Sequence, residues 1–160
     1  ILIMDIPKIL IIDVDGVMTT GQFIYSKYGK EYKIFGPHDT DGLDILKNKI
    51  KIIFITADKK GLAISKRRIQ TDLGYKLFLV NHNDRYNFIK KYGMKKVIYI
   101  GDGYYDAQIL KDVLFGIAPK NARIEAKKTA NFITNSNSGE GAILDAAIKI
   151  NRKFFLKLKK

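Results

Sequence analysis

The chain has 160 residues, the length of one domain, and its 46% hydrophobic and 28% charged residues exclude a disordered chain. It contains no cysteine, which excludes disulfides, thiolate metal sites and cysteine nucleophiles and is compatible with a reducing compartment. The net charge of +13 leaves two interpretations open, attraction to an anionic partner or a solvated lysine-rich surface, and the scattered lysines favour the second.

No apolar run approaches the roughly 20 residues that cross a bilayer, so we expect a cytoplasmic protein without a membrane partner. The twelve residues 149–160 carry six basic side chains and no acidic one. We predict a domain over residues 1–150 followed by a basic tail over 151–160. Nucleic-acid binding by this tail is an alternative, but the chain has no arginine-rich or aromatic-interleaved motif, and we expect no nucleic-acid partner.

Short apolar runs alternate with segments of helical length along the whole chain. Continuous β-branched runs predict strands that are covered on both faces, at residues 9–12, 52–55, 77–80 and 97–100, with weaker ones at 114–118 and 131–134. Helices are predicted at residues 41–48, 61–73, 84–92, 105–112 and 141–150. The alternation predicts an α/β fold, a Rossmann-like parallel sheet with helices on both faces.

One segment interrupts this alternation. Residues 22–26 and 31–35 are strand-like and flank a glycine-containing turn at 27–30, which predicts a β-hairpin (residues 22–35) inserted after the first strand. The insertion lies at the carboxyl edge of the sheet, where open parallel sheets bind their ligands. Five aromatic residues crowd the hairpin, which favours a subunit interface over a hairpin folded onto its own sheet: Phe23, Tyr25, Tyr28, Tyr32 and Phe35.

Acidic or polar residues follow three of the predicted strands. Asp13 and Asp15 end the first, Thr56 ends the second of the apolar runs, and Asp102 and Asp106 follow the fourth. Two carboxylates as close as Asp13 and Asp15 repel each other unless a cation lies between them or one is protonated. Asp13, Asp15 and Asp102 together form an all-oxygen set that suits Mg²⁺, whereas two histidines and no cysteine make zinc a poor fit.

The order of these motifs resembles the haloacid dehalogenase superfamily of phosphotransferases. Within it, the chain is most similar to the small capless branch that contains 3-deoxy-D-manno-octulosonate 8-phosphate phosphatase and nonulosonate 9-phosphate phosphatases. The supporting residues lie between about 8 and 148: Asp13-Val14-Asp15-Gly16-Val17-Met18-Thr19, the hairpin, Lys33-Ile34-Phe35, Asp39 with Gly42, Leu73-Gly74, Gly101-Asp102 and Gly139-Glu140-Gly141-Ala142.

The resemblance implies a Mg²⁺-dependent phosphomonoesterase that acts on a small phosphorylated anion such as a sugar acid. Asp13 would attack phosphorus and form an aspartyl phosphate, and Asp15 would act as general acid and base. The metal would be held by Asp13, by the main-chain carbonyl of Asp15 and by Asp102, with Asp106 in support. Thr56 would bind the phosphoryl group. The resemblance also implies a homotetramer whose hairpins assemble together.

Several positions depart from the family pattern. Arg85 stands where the family has a lysine that contacts the nucleophile and the phosphoryl group, and we assign it to phosphate binding. Thr56-Ala57-Asp58 replaces Thr-Gly-Arg, while His38 and Leu144 each replace an arginine. Lys59 or Lys60 could substitute for the missing lysine, although a solvated loop is favoured.

These losses leave an alternative open, a weakly active or non-catalytic oligomerisation module of the same fold. A signalling receiver domain also uses an Asp cluster, a Thr and a Lys on a parallel sheet. It has no use, however, for the hairpin or for the Gly101–Asp106 segment.

Overall fold

The structure, a computed structural model, describes residues 6–156. These residues form eight strands: β1 (Ile9–Asp13), β2 (Thr19–Ser26), β3 (Gly29–Phe35), β4 (Lys51–Thr56), β5 (Lys76–Leu79), β6 (Val97–Ile100), β7 (Phe115–Ala118) and β8 (Phe132–Ile133). Six of the strands make one parallel sheet in the order β5-β4-β1-β6-β7-β8, and β2 and β3 make a separate antiparallel hairpin. The central position of β1 brings the residues after it close to those that follow β4 and β6.

The same part of the chain contains six α-helices: α1 (His38–Leu46), α2 (Leu62–Lys66), α3 (His82–Lys90), α4 (Ala107–Asp112), α5 (Ile124–Thr129) and α6 (Ala142–Ile150). Wider helical turns extend α2 over Arg67–Asp72 and α6 over Asn151–Phe155. None of the helices in residues 6–156 has the length and apolar character that crossing a bilayer requires.

Two separate apolar cores explain why the strands of the sheet are hydrophobic on both faces. Leu10 and Ile12 of β1 pack with α1 and α6 on one face, whereas Ile9 and Ile11 pack with α3, α4 and α5 on the other. Asp39 joins two helices of the first layer, because its carboxylate accepts hydrogen bonds from the amides of Gly141 and Ile143 at the start of α6.

The hairpin contains a β-bulge in β3 that changes which side chains share a face. Ile24 pairs with Tyr32 and Tyr25 pairs with Lys30, so Glu31 is an extra residue on β3. Side chains three positions apart normally point to opposite faces of a strand. Because of the extra residue, Lys30 and Lys33 both point toward the main sheet, where both contact Asp58.

The predicted α/β architecture with its inserted hairpin is confirmed, and the differences are local. The hairpin strands are longer than predicted, and the turn is only Lys27–Tyr28. Helix α1 begins at His38, before the predicted start at 41. Helix α5 was not predicted, because six residues with a single buried side chain, Ala126, give no helical periodicity.

The region assigned to the basic tail is structured through residue 156. The chain continues α6 for one further turn, and Phe154 and Phe155 pack against the first core. These aromatic rings give residues 151–155 an apolar face, which the count of basic residues does not reveal. Residues 157–160 of the predicted tail lie outside the described residues.

Candidate active site

The predicted site residues meet at the carboxyl edge of the parallel sheet. Asp13 is the last residue of β1, and Thr56 is the last residue of β4. Asp102 follows β6, and Arg85 projects from the first half of α3. Parallel strands end at the same edge of a sheet, which is why residues so distant in sequence come together here.

Asp13 is buried and lies beside a buried cation. Its Oδ1 atom accepts a hydrogen bond from the amide of Val14 at 2.9 Å, and its Oδ2 atom accepts one from Nη1 of Arg85 at 2.9 Å. Burial raises the pKa of Asp13 well above its usual value, and the guanidinium of Arg85 opposes that rise. Arg85 therefore supplies positive charge directly beside the buried Asp13 carboxylate.

Asp106 organises the site from behind. Its Oδ1 atom accepts hydrogen bonds from Arg85 at 2.8 Å and from the hydroxyl of Tyr99 at 2.6 Å. Its Oδ2 atom accepts the amides of Asp102 and Gly103 at 3.1 and 2.8 Å. Four donors occupy this carboxylate, so Asp106 orients Arg85 and the loop that carries Asp102.

The Asp102 carboxylate receives no hydrogen bond from another residue in the described range 6–156. Burial, and then the charge of Asp106, raise the pKa of Asp102 to about 7. One carboxylate oxygen from each of Asp13, Asp102 and Asp106 lies within 4.8 Å of the others, close enough to surround one ion. A divalent cation would relieve this repulsion, and an all-carboxylate set suits Mg²⁺.

Gly16 makes room for this arrangement. Its φ of +87° is a left-handed conformation that favours glycine, and a Cβ atom at this position would collide with the Asp102 carboxylate. The loop after β1 can therefore approach Asp102 closely. The geometry fits the predicted metal site of Asp13 and Asp102.

Asp15 has a hydrogen bond on one carboxylate oxygen and an ammonium group beside the other. The hydroxyl of Thr56 donates a hydrogen bond to Oδ2 at 2.7 Å, and Nζ of Lys33 lies 2.6 Å from Oδ1. Thr56 in turn accepts a hydrogen bond from the amide of Asp58 at 3.0 Å. The structure thus places Thr56 against Asp15, fully buried behind it.

Lysines from the hairpin join this side of the site to Asp58. Nζ of Lys30 lies 2.5 Å from Oδ2 of Asp58, and Nζ of Lys33 lies 2.9 Å from the same oxygen. Burial opposes ionisation of Asp58, but the two lysines outweigh it and lower the pKa of Asp58 to about 2. The hairpin is therefore tied to the active site of its own chain by charged side chains.

These residues surround an open cavity of about 370 Å³. Phe23 and Lys30 of the hairpin form one wall, with Nζ of Lys30 at 3.4 Å from the centre of the Phe23 ring. His82 and Tyr105 form part of the opposite wall and stack with their ring centres 4.8 Å apart. Burial and the charge of Arg85 lower the pKa of His82, which favours the neutral ring.

All of the site residues predicted from the sequence come together, and all but Thr56 line this cavity among the residues of the described range: Asp13, Asp15, Arg85, Asp102 and Asp106. Lys59, Lys60 and His38 are exposed. The sequence reasoning missed the roles of Lys30, Lys33 and Asp58. The sequence held one indication of these contacts. A hairpin at the ligand-binding edge of the sheet lies beside acidic residues, so its lysines are candidates to pair with them.

Comparison with known proteins places this geometry in a family. Residues 8–146 match the family model of the haloacid dehalogenase-like hydrolases. The 3-deoxy-D-manno-octulosonate 8-phosphate phosphatase of Haemophilus influenzae is 29% identical over 84% of this chain and 77% of its own length. The corresponding enzyme of Salmonella typhi is 28% identical over 85% of this chain and 74% of its own.

Solved structures agree with this match. A phosphatase from Pseudomonas syringae superposes with a TM-score of 0.83, at 28% identity over 92% of this chain and 86% of its own. The octulosonate 8-phosphate phosphatase of Moraxella catarrhalis was solved with magnesium, phosphate and the sugar acid. It superposes with a TM-score of 0.75, at 26% identity over 91% of this chain and 86% of its own. The family model covers the sheet, the hairpin and every residue of the acidic cluster, and the chain belongs to the haloacid dehalogenase-like hydrolases.

Proposed function

We propose that this protein is a Mg²⁺-dependent phosphatase that hydrolyses the phosphate monoester of a sugar acid. The observation that carries the proposal is the position of Asp13. It is a buried carboxylate at the floor of an open cavity, with the guanidinium of Arg85 on one side and the Asp102 carboxylate within metal-sharing distance on the other. A nucleophile, a counter-charge and a metal ligand are the parts that phosphoryl transfer requires.

The charge of the cavity explains why a metal is needed. Five of the lining residues are acidic and only two, Lys30 and Arg85, are permanently basic. A phosphate dianion would be repelled by this surface in the absence of a cation. The carboxylates of Asp13 and Asp102 and the main-chain carbonyl of Asp15 would hold Mg²⁺. When bound, the ion offsets the charge of the phosphoryl group.

The residues of the chain then divide the chemistry between them. A carboxylate oxygen of Asp13 attacks phosphorus, the bond from phosphorus to the ester oxygen breaks, and Asp15 gives that oxygen a proton. Asp13 then carries the phosphoryl group as an aspartyl phosphate. A water molecule, deprotonated by Asp15, attacks the phosphorus, which releases inorganic phosphate and restores both carboxyl groups. Arg85 contacts the phosphoryl oxygens, whereas the hydroxyl of Thr56, to which the sequence assigned such a contact, donates its hydrogen bond to Asp15.

Relatives support the substrate class. Two of those named above are octulosonate 8-phosphate phosphatases, and a third was solved with the sugar acid itself. The departures at Asp58, His38 and Leu144 remove three arginines that could have bound an anionic substrate. We therefore propose a primary phosphate ester of an octulosonate or nonulosonate acid as the substrate, and expect its carboxylate to be bound differently from that of the relatives.

The hairpin supports a further part of the proposal, assembly into a homotetramer. Tyr25, Tyr28 and Tyr32 are each more than half exposed, and Ile24 is 49% exposed. Exposed apolar surface of this kind is typical of subunit contacts. Phe35, which the sequence placed with this group, packs against the core of its own chain. This surface also favours the second candidate function, an oligomerisation module with little activity.

The two candidates are separated by a phosphatase screen. Purified protein is incubated with a panel of sugar and sugar-acid phosphates, with Mg²⁺ or with a chelator, and released phosphate is measured. We expect hydrolysis that depends on Mg²⁺ and that falls below about one thousandth in Asp13→Asn, which removes the nucleophile but keeps the shape of the side chain. Release that survives Asp13→Asn would contradict the mechanism. A correctly assembled protein that releases no phosphate from any ester would favour the oligomerisation module.

A further inference from the structure

Lys33 is a buried charged residue for which the proposed mechanism has no use. Its side chain is fully buried, although its neighbours Tyr32 and Ile34 on β3 are exposed. A buried ammonium group is costly unless each of its three N–H donors has a partner. Lys33 has three oxygen neighbours: Oδ1 of Asp15 at 2.6 Å, Oγ of Ser65 at 2.8 Å and Oδ2 of Asp58 at 2.9 Å.

Of these three contacts, the one with Asp15 bears on the proposed reaction, because Asp15 is the proposed proton donor. Thr56 donates a hydrogen bond to Oδ2 of Asp15 from the end of β4, and Lys33 forms an ion pair with Oδ1 from the hairpin. Two elements far apart in sequence thus fix the plane of one carboxyl group. Asp58 and Ser65 fix Lys33 in turn, from the loop after β4 and from α2. Placing a proton donor within a fraction of an ångström is a large part of what an active site does.

We propose that Lys33 is a positioning residue for Asp15, and that the hairpin thereby takes part in the first chemical step. The assignment rests on the proposed function. In that step Asp13 bonds to phosphorus, the bond to the ester oxygen breaks, and the proton of Asp15 moves to that oxygen. The Asp15 carboxyl group gains negative charge as its proton leaves. The ammonium of Lys33 lies beside that charge. It therefore stabilises the ionised Asp15 that the proton transfer produces, in addition to fixing the position of the carboxyl group.

A positioning role for Lys33 predicts a dependence on the leaving group that a purely structural role does not. Protonation of the ester oxygen matters most when that oxygen is a poor leaving group and least when it is a good one. Loss of Lys33 should therefore slow the hydrolysis of esters with poor leaving groups more than that of esters with good ones. A residue that only holds the hairpin in place would affect good and poor leaving groups to the same extent.

The test compares Lys33→Met with wild type on phenyl phosphates whose leaving groups span a wide range of basicity. The measured quantity is kcat/KM, which reports on the steps up to transfer of the phosphoryl group to Asp13. We expect a loss of less than about 10-fold with 4-nitrophenyl phosphate and of about 100-fold with unsubstituted phenyl phosphate, within the range that general acid catalysis contributes. A plot of log kcat/KM against leaving-group pKa becomes steeper.

Lys30→Met is the matched control. Lys30 also comes from β3 and also binds Asp58, but within residues 6–156 it forms its ion pair with Asp58 and not with Asp15. We expect its loss to change kcat/KM by the same factor across the series. Lys33→Gln keeps a hydrogen-bond donor without the charge and provides a second variant in case Lys33→Met fails to fold. We expect its slope to lie between those of wild type and Lys33→Met.

The outcomes separate the two proposals. A wild-type enzyme that hydrolyses the series, together with an unchanged slope in the folded Lys33 variants, overturns the role of Lys33 and leaves the proposed function intact. An equal change of slope in Lys30→Met also overturns it, because seating of the hairpin would then explain the effect. A wild type that hydrolyses no member of the series overturns the proposed function, and the role of Lys33 with it.

Discussion

Nη1 of Arg85 lies 2.9 Å from Oδ2 of Asp13, so the proposed nucleophile has a buried counter-ion before any substrate or metal arrives. The same nitrogen lies 2.8 Å from Asp106, and the side chains of all three residues are at most 7% exposed. Removing one member of a buried ion pair leaves the other charge without compensation. The pair is therefore important for stability as well as for chemistry.

Replacing Arg85 should show this directly. We expect Arg85→Met to lower the free energy of unfolding by about 3–5 kcal/mol, because Asp13 and Asp106 lose their shared cation. Arg85→Lys keeps the charge and should cost less. Urea unfolding of the metal-free proteins measures both. Arg123→Met is the control, since the pair of Arg123 with Glu125 lies at the surface and its loss should change the free energy of unfolding far less. Equal stability of Arg85→Met and wild type would contradict the role of the ion pair.

Metal binding should depend on pH through Asp102. The pKa of Asp102 is raised to about 7 in the absence of metal, so the carboxyl is largely protonated at pH 6 and must lose its proton to bind Mg²⁺. We expect the affinity for Mg²⁺ to rise as the pH increases through about 7, with release of protons on binding. Calorimetry in buffers of different ionisation enthalpy measures both quantities. An affinity that is constant from about pH 6 to about pH 8 would contradict this.

The same carboxyl should limit the stability of the metal-free protein. A raised pKa means that the folded state favours protonated Asp102, and this stabilisation is lost as the pH rises through about 7. Asn imitates the protonated carboxyl. We therefore expect Asp102→Asn to raise the metal-free Tm, more at about pH 8 than at about pH 5.5, and to abolish the further rise that Mg²⁺ causes in wild type. A lower Tm for Asp102→Asn at the higher pH would argue against a strained acidic cluster.

Gly16 offers a test of the close approach between the loop after β1 and Asp102. In Gly16→Ala the new methyl group meets the Asp102 carboxylate, so we expect loss of Mg²⁺ binding in addition to a backbone cost of about 1–2 kcal/mol. Gly74→Ala is the control, because Gly74 has a similar φ of +76° and nothing lies within 4 Å of its added Cβ. Titration with Mg²⁺ should separate the two variants. Equal Mg²⁺ affinity in both would show that the approach is not required.

The exposed tyrosines of the hairpin allow the proposed assembly to be tested. We expect Tyr28→Ser and Tyr32→Ser each to weaken self-association at least about tenfold, because each removes a large aromatic contact. Light scattering over a range of protein concentrations measures this. Leu79→Ser changes an apolar side chain that is 45% exposed elsewhere, and should leave association unchanged. A wild type that is monomeric at all concentrations would contradict the homotetramer.

The sequence predicts the positions of those site residues that directly follow a strand. Asp13, Thr56 and Asp102 each follow an apolar run, and parallel strands bring such residues to one edge whatever the loops do. The convergence of these three side chains follows from this rule, whereas Arg85 lies on a helix and was assigned to the site through the family resemblance. The contact of Thr56 with Asp15 does not follow from the rule either, because it depends on the irregular turn at Val14–Met18, in which Asp15 and Gly16 leave helical geometry.

Lys33 shows where such reasoning ends. Alternation along β3 places Lys33 and Lys30 on opposite faces, and nothing in the hairpin sequence reveals the bulge at Glu31. The partners Asp58 and Ser65 lie in different elements more than twenty residues away, so only the docking of the hairpin defines them. Helix α5 was missed because its single buried side chain gives no periodicity; in the structure, a hydrogen bond from the Arg123 amide to the Asp102 carbonyl joins its start to the loop after β6.

The bulge at Glu31 has a consequence for the tolerance of this protein to change. The side chain of Glu31 is exposed and accepts a hydrogen bond from Ser26, so many residue types could replace it. The bulge absorbs this residue, so Lys30 and Lys33 face the same side although they are three positions apart. Deleting Glu31 would leave the two lysines two positions apart, where regular alternation also turns them to one side. The hairpin can therefore accept a change, or even the loss, of residue 31 and still present both lysines to Asp58.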